Sequence, residues 1–142
     1  MSEELLFKFN VDGKDFTSAG QASVQIKKNL RQLGIPTEII RRVSIAMYEG
    51  EINMVIHAGG GNAEVKVMED YIEIVLKDSG PGIENIDKAM QEGYSTAPDP
   101  IRSLGFGAGM GLPNMKRYSD YMNVESTVGV GTTITMRVNI QG

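Results

Sequence analysis

The chain has 142 residues, 41% of them hydrophobic and 23% charged, a make-up that suits one globular domain. It carries no Cys, one His and a formal net charge of -4. That excludes thiolate metal sites, disulfide scaffolds, Cys nucleophiles and His–His metal pairs, and it argues against nucleic acid as a general partner.

In chain order, Leu5 to Val11 alternates as a strand should, and Asp12-Gly13 signals a turn. Thr17 or Ser18 offers a cap for a helix running to about Leu33, with Gly34 as its stop. Pro36 and Thr37 open the next element, with Thr37 at N-cap. A helix is predicted from about Glu38 to Ala58, ended by Gly59-Gly60-Gly61. Strands over Ala63–Met68 and Tyr71–Lys77 follow, joined by a turn at Glu69-Asp70. After a loop at Asp78–Gly82 comes a short helix over about Asn85–Gln91, then an aperiodic loop from Gly93 to Gly109. The chain closes with a helix over about Gly111–Tyr118 and strands Tyr121–Ser126 and Thr132–Asn139 around the turn Gly129-Val130-Gly131. Consecutive strands joined by tight turns predict an α+β fold, one sheet with helices on one face. No apolar run approaches the ~20 residues that span a bilayer. The acidic start Met1-Ser2-Glu3-Glu4 is unlike a secretory signal, so the expected location is cytoplasmic, with no membrane partner.

On the second helix, Ile39, Val43, Ala46, Met47, Gly50, Met54 and His57 form one apolar stripe at about 100° per residue. Ile45, Ile52 and Ile56 form a second patch. Arg41, Ser44, Tyr48 and Glu51 fall on the expected water side, which makes Glu51 an ordinary surface acid. Glu49 and Asn53 land between the two apolar patches, four residues apart, so their side chains project together. A carboxylate there is costly unless it has partners. Together with an amide oxygen it can orient a water and a hard divalent cation. Taken alone, the pair reads more readily as a cap or a salt bridge, with Arg42 as the near cation. The single His57 is read as structural.

Two glycine clusters follow. Asp78-Ser79-Gly80-Pro81-Gly82 lies directly after an apolar strand. Asp78 ends that strand, where its carboxylate can accept a hydrogen bond from an amino group, and the glycines let a flat ligand lie on bare backbone. In isolation the cluster is also an ordinary turn. Gly105-Phe106-Gly107-Ala108-Gly109-Met110-Gly111-Leu112 precedes a helix. Glycine at every second position exposes amide N–H groups, and a helix start adds a positive dipole end, which favours a polyphosphate over the alternative of a plain hinge. There is no Lys-Ser/Thr pair, so this is not a P-loop, and the antiparallel surroundings do not suit a dinucleotide fold.

The order of these signals is more specific than any one of them. A helical Glu-x-x-x-Asn, a strand ending in Asp-x-Gly-x-Gly, a Gly-x-Gly-x-Gly-Leu helix start and Gly-Thr-Thr opening the last strand together resemble the GHKL (Bergerat-fold) ATPases, over about Arg41 to Arg137. The resemblance implies a two-layer α/β sandwich with a mostly antiparallel mixed sheet, and ATP and Mg2+ as cofactors. It implies that Glu49 activates the attacking hydroxyl or water and that Asn53 holds the metal. Asp78 matches the residue that reads the adenine amino group, with Gly80 and Gly82 shaping its pocket. Gly107, Gly109, Gly111 and Leu112 match the phosphate lid, and Thr132 the Thr near adenine.

The chain looks like the small free-standing serine/threonine kinases of bacterial partner switching, the anti-sigma factors and the stressosome switch kinase, and the stretch Met90–Thr96 with the following Gly-Ala-Gly-Met-Gly-Leu-Pro segment looks most like the switch kinase. That subgroup implies residues 1–142 as one kinase domain, a STAS-domain protein as substrate, and a sigma factor as a further partner. Homodimer formation stays open. The other readings are an ATP-gated anti-sigma binding module with little or no kinase activity, a plain ATPase or sensor-kinase fragment, and a glycine-rich domain without nucleotide.

Overall fold

The computed structural model describes residues 5–12, 20–83, 86, 90 and 111–140. The elements are β1 (Leu5–Asp12), α1 (Gln21–Gln32), α2 (Thr37–Ala58), β2 (Gly60–Val67), β3 (Tyr71–Asp78), α3 (Gly111–Arg117), β4 (Tyr121–Thr127) and β5 (Gly131–Asn139). The strands form one sheet in the order β1-β2-β3-β5-β4. Every ladder among them is antiparallel, so the described sheet is not mixed. Each neighbouring pair consecutive in the chain is closed by a turn or a helix, and no parallel crossover is needed.

Alternation along the strands sorts residues onto two faces. Ala63, Val65 and Val67 of β2, Ile72, Ile74 and Leu76 of β3, and Ile134, Met136 and Val138 of β5 are buried beneath the helices. The residues between them, such as Glu64, Glu73 and Arg137, lie on the other face, where Arg137 bonds Glu73 at 2.9 Å and stacks on Tyr71 and Tyr121.

Helix α2 covers the centre of the sheet. Val43, Ala46, Met47 and Met54 are buried, as the apolar stripe predicts, and Ile40 and Val55 widen it. A β-carbon at Gly50 would overlap the Leu76 side chain of β3, so glycine lets the helix lie this close to the strand without displacing that buried leucine. Helices α1 and α3 pack on α2. Ile26 and Leu30 of α1 are fully buried, and each contributes roughly 1.5–3 kcal/mol by leaving water.

Three boundaries differ from the sequence reading. Helix α1 begins at Gln21, later than a Thr17 or Ser18 cap implies, and its cap is Gly20 at φ 99. Thr17 and Ser18 lie outside the described residues. Thr37 is the first helical residue of α2 instead of its cap, because Pro36 (φ -55, ψ 141) already sets the extended entry. Gly59 in the left-handed region ends α2, but Gly60 and Gly61 belong to β2 and pair with Asp12 and Val11. The predicted helix over 85–91 and the loop over 93–109 fall almost wholly outside the described residues. Within them, the Met90 amide donates to the Ile86 carbonyl at 3.0 Å, a helical i to i-4 bond.

Candidate functional site

Glu49 and Asn53 lie one turn apart on α2, and both are half-buried. A β-carbon on Gly111, the first residue of α3, would sit 3.8 Å from Asn53 Oδ1 and 4.0 Å from Glu49 Oε2. The start of α3 therefore presents bare backbone beside both oxygens. Burial pushes the Glu49 carboxyl above the ordinary glutamate value of 4.5, and a hydrogen bond from the Asn114 side chain partly opposes it. Asn114 is three residues after Gly111, on the same side of α3.

A second group gathers where β3 ends and β5 begins. Asp78 pairs with Thr132 across the ladder. Its Oδ1 accepts the amides of Gly80 at 2.9 Å and Thr132 at 3.2 Å. Both bonds fall on Oδ1, which leaves Oδ2 to accept from a ligand. Thr132 is 6% exposed, and its hydroxyl is 2.8 Å from that of Ser126. Gly80 is required by space: a β-carbon there would lie 2.6 Å from the Ala58 β-carbon at the end of α2. Gly82 is required by conformation, at φ 83, with the Thr127 carbonyl 2.6 Å from where its β-carbon would be. The contact with Ala58 brings this loop to the C-terminal end of α2, about 13 Å along the helix from Glu49 at 1.5 Å per residue.

The sequence model of the histidine kinase-like ATPase domain matches residues 14–138. The chain belongs to this family.

Among curated relatives, an anti-sigma F factor of Priestia megaterium is 32% identical over 84% of this chain and 82% of its own length. The serine/threonine-protein kinase RsbT of Bacillus subtilis is 33% identical over 80% of this chain and 83% of its own. An anti-sigma F factor of Clostridium acetobutylicum is 37% identical over 82% and 81%. A crystal structure of the RsbU and RsbW domains of a Mycobacterium tuberculosis protein superposes with a TM-score of 0.64 at 14% identity. That superposition covers 94% of this chain and 32% of that longer one, and it shows the shared fold.

In this histidine kinase-like ATPase domain, the residues singled out from the sequence fall into the two groups just described. Glu49, Asn53 and Gly111 form one; Asp78, Gly80, Gly82 and Thr132 form the other. Leu112 is 6% exposed and belongs to the core with Met115, so only its backbone is free to face a ligand. Gly107 and Gly109 lie outside the described residues.

Glu51 overturns its reading as a surface acid. It is 2% exposed, and its carboxylate accepts the amides of Gly20 at 3.0 Å, Ala22 at 3.2 Å and Ser23 at 2.7 Å. The first amides of a helix lack partners within it, and Glu51 supplies them to α1 from a neighbouring helix. A single-helix wheel holds no information about which helix packs against that side. Arg42 does not pair with Glu49 as the simpler alternative had it; it makes a two-pronged bond to Asp120 at 3.1 and 3.3 Å. Asn114 and Ser126 were missed. The spacing Gly111-x-x-Asn114 was a usable signal for the first, whereas the second depends on a hairpin register that the sequence does not print.

No helix among the described residues is long and apolar enough to cross a membrane. Nor do these residues hold a cluster of three or more His, Cys, Asp or Glu able to bind a metal. The oxygens beside Gly111, one carboxylate and one amide, instead suit Mg2+, which takes one or two protein ligands and completes its shell with water and substrate phosphates.

Proposed function

We propose that this chain is an ATP-dependent serine/threonine protein kinase of a bacterial partner-switching system, acting on a STAS-domain protein in the cytoplasm. Residues 1–142 serve as one kinase domain. The observation that carries the reading is the convergence of Glu49 and Asn53 on the bare backbone of Gly111, with a free carboxylate oxygen on Asp78 one nucleotide's reach away along α2. The relative named a serine/threonine-protein kinase supports it.

ATP lies between α2 and the sheet in this reading, and its adenine amino group donates to Asp78 Oδ2. Gly80 and Gly82 leave room for the base beside bare backbone. Asn53 would hold Mg2+, whose chemistry there would be to offset phosphate charge. Backbone amides of Gly107, Gly109, Gly111 and Leu112 steady the transferred group. Glu49 takes the proton from the incoming Ser or Thr hydroxyl. The hydroxyl oxygen then bonds to the γ-phosphorus, the bond to the β–γ bridging oxygen breaks, and ADP leaves. Positioning and electrostatics do most of this work, as in other phosphoryl transfers.

The test is incubation with labelled ATP, Mg2+ and STAS proteins of the same genome. Label should move to a Ser or Thr of one of them, and Glu49→Gln should keep ATP affinity but lose transfer. Transfer at the wild-type rate by Glu49→Gln would remove the assigned base.

A second reading has a specific support, since two of the relatives named above are called anti-sigma F factors. In it the domain sequesters a sigma factor under ATP control, alone or as a homodimer, with little or no phosphoryl transfer. Nucleotide-dependent capture of a sigma factor, with no label on any STAS protein, would favour it.

A further inference from the structure

No reading above gives Asn114 a role. It lies on α3, three residues after Gly111, and both it and Glu49 are half-buried. A β-carbon on Gly111 would sit 4.0 Å from Glu49 Oε2, so the start of α3 lies against this carboxylate, and Asn114 follows on the same side of the helix. Its side chain hydrogen-bonds Glu49. An ionised carboxylate only accepts, so the amide turns its NH2 group to Glu49 and its oxygen elsewhere. Arg117, a further turn along α3, places Nη1 3.5 Å from Asn114 Oδ1. A guanidinium only donates, so it favours the same orientation of the amide.

Glu49 needs such a partner. The last torsion of a glutamate side chain is broad and two-fold, so rotamer preference does not fix the plane of the carboxylate. Charge pairing with the basic neighbour on α2 does not fix it either, because Arg42 is bound to Asp120 at 3.1 and 3.3 Å. A general base works only within hydrogen-bond reach of the proton it takes, and a misplacement of about 1 Å can cost about a hundredfold in rate. The bond from Asn114 occupies one of about four lone-pair positions on the carboxylate, which leaves the others to accept a proton. Leu112 and Met115 are buried in the core and anchor the helix from which Asn114 reaches.

We infer that Asn114 is a positioning residue for the phosphoryl transfer, holding the Glu49 carboxylate from α3 in the orientation that receives the proton of the incoming hydroxyl. Asn114 touches neither the nucleotide nor the hydroxyl and acts only through Glu49. Because Gly111 opens the same helix, the placement of α3 sets both the backbone beside the phosphates and the aim of the base. The inference rests on the kinase reading proposed above.

The experiment measures transfer of label from ATP to purified STAS proteins of the same genome by the full chain with Mg2+, together with calorimetry of ATP binding. The variants are Asn114→Leu, which fills nearly the same space without a donor, and Asn114→Ala, which removes the group in a residue that suits a helix. Both should lower kcat about tenfold, the effect of one hydrogen bond, while ATP affinity and the KM for the STAS protein stay within about twofold of wild type. Should Asn114→Leu prove unfolded by its melting curve, Asn114→Ala supplies the readout. Wild-type kcat in Asn114→Leu overturns the inference, since shape alone would then suffice. A loss of ATP affinity by Asn114→Ala as large as its loss of kcat also overturns it, because Asn114 would then serve the nucleotide and not the base. In either case transfer by wild type leaves the kinase reading standing. Absence of transfer by wild type to every STAS protein overturns that reading and this inference with it.

Discussion

The Glu51 carboxylate of α2 accepts the backbone amide of Ser23 at 2.7 Å, the shortest of three bonds through which one helix caps another. The cap also fixes Gly20 against the Tyr48 ring, where a β-carbon would come within 2.9 Å of the ring carbons. The start of α1 is thus seated on the same turns of α2 that carry Glu49.

Removing this cap should be costly. Glu51→Ala leaves buried amides without an acceptor, and loss of charge-assisted bonds of this kind costs about 2–4 kcal/mol. Glu51→Gln keeps one carbonyl oxygen and should lose less. Urea unfolding monitored by circular dichroism measures both. A shift below about 0.5 kcal/mol for the alanine variant would mean that α1 finds its cap elsewhere.

Gly80→Ala tests the seat of the Asp78 loop. The new β-carbon meets both the Ala58 β-carbon at 2.6 Å and its α-carbon at 2.7 Å, and the backbone cannot move aside as a flexible side chain can. Overpacking of this type costs about 1–3 kcal/mol. ATP affinity should fall as well, because the loop proposed to shape the base pocket must shift. A variant with wild-type stability and wild-type affinity would show that the loop and the helix end are not rigidly packed.

Much of this arrangement was legible from residue pattern, for reasons that differ along the chain. Alternation in Ala63–Met68 and Tyr71–Lys77 marked strands of a sheet with one covered face, because one face of each is buried. The pair Glu49 and Asn53 stood out because polar groups interrupted an apolar surface. What escaped was set by long-range packing. Glu51 caps a helix that starts thirty residues earlier. Ser126 meets Thr132 only through the hairpin register. The place of β1, beside β2 at the edge of the described sheet, escaped too, because no local signal specifies that neighbour.

Asp78→Asn separates ligand recognition from folding. The amide keeps a carbonyl oxygen for Gly80 and Thr132, so stability should change little. The other atom becomes an NH2 group facing the amino group of adenine, donor against donor. ATP affinity should fall by roughly 10- to 100-fold, which is the cost of a hydrogen bond to a charged group. Titration calorimetry measures the affinity and thermal melting the stability. Equal loss of both would place Asp78 in the framework and leave adenine recognition without its acceptor.

The pH behaviour of Glu49 has a defined sign. Burial raises its pKa in the folded protein above the ordinary 4.5, so the folded state holds this proton more tightly than the unfolded chain does. Stability from this group therefore falls as pH rises from the unfolded value through the raised folded one. Glu49→Gln cannot ionise, and its stability should lose that slope and exceed wild type at neutral pH. Turnover moves the other way, because a base must be deprotonated: the transfer rate should rise with pH along an acid limb displaced above the usual glutamate range. In wild type the transfer rate should reach half its plateau at the upper end of the pH window over which the melting temperature falls, because that end is the folded-state pKa. A rate that is flat across that window while the stability slope persists would mean that Glu49 titrates in the site but does not accept the substrate proton.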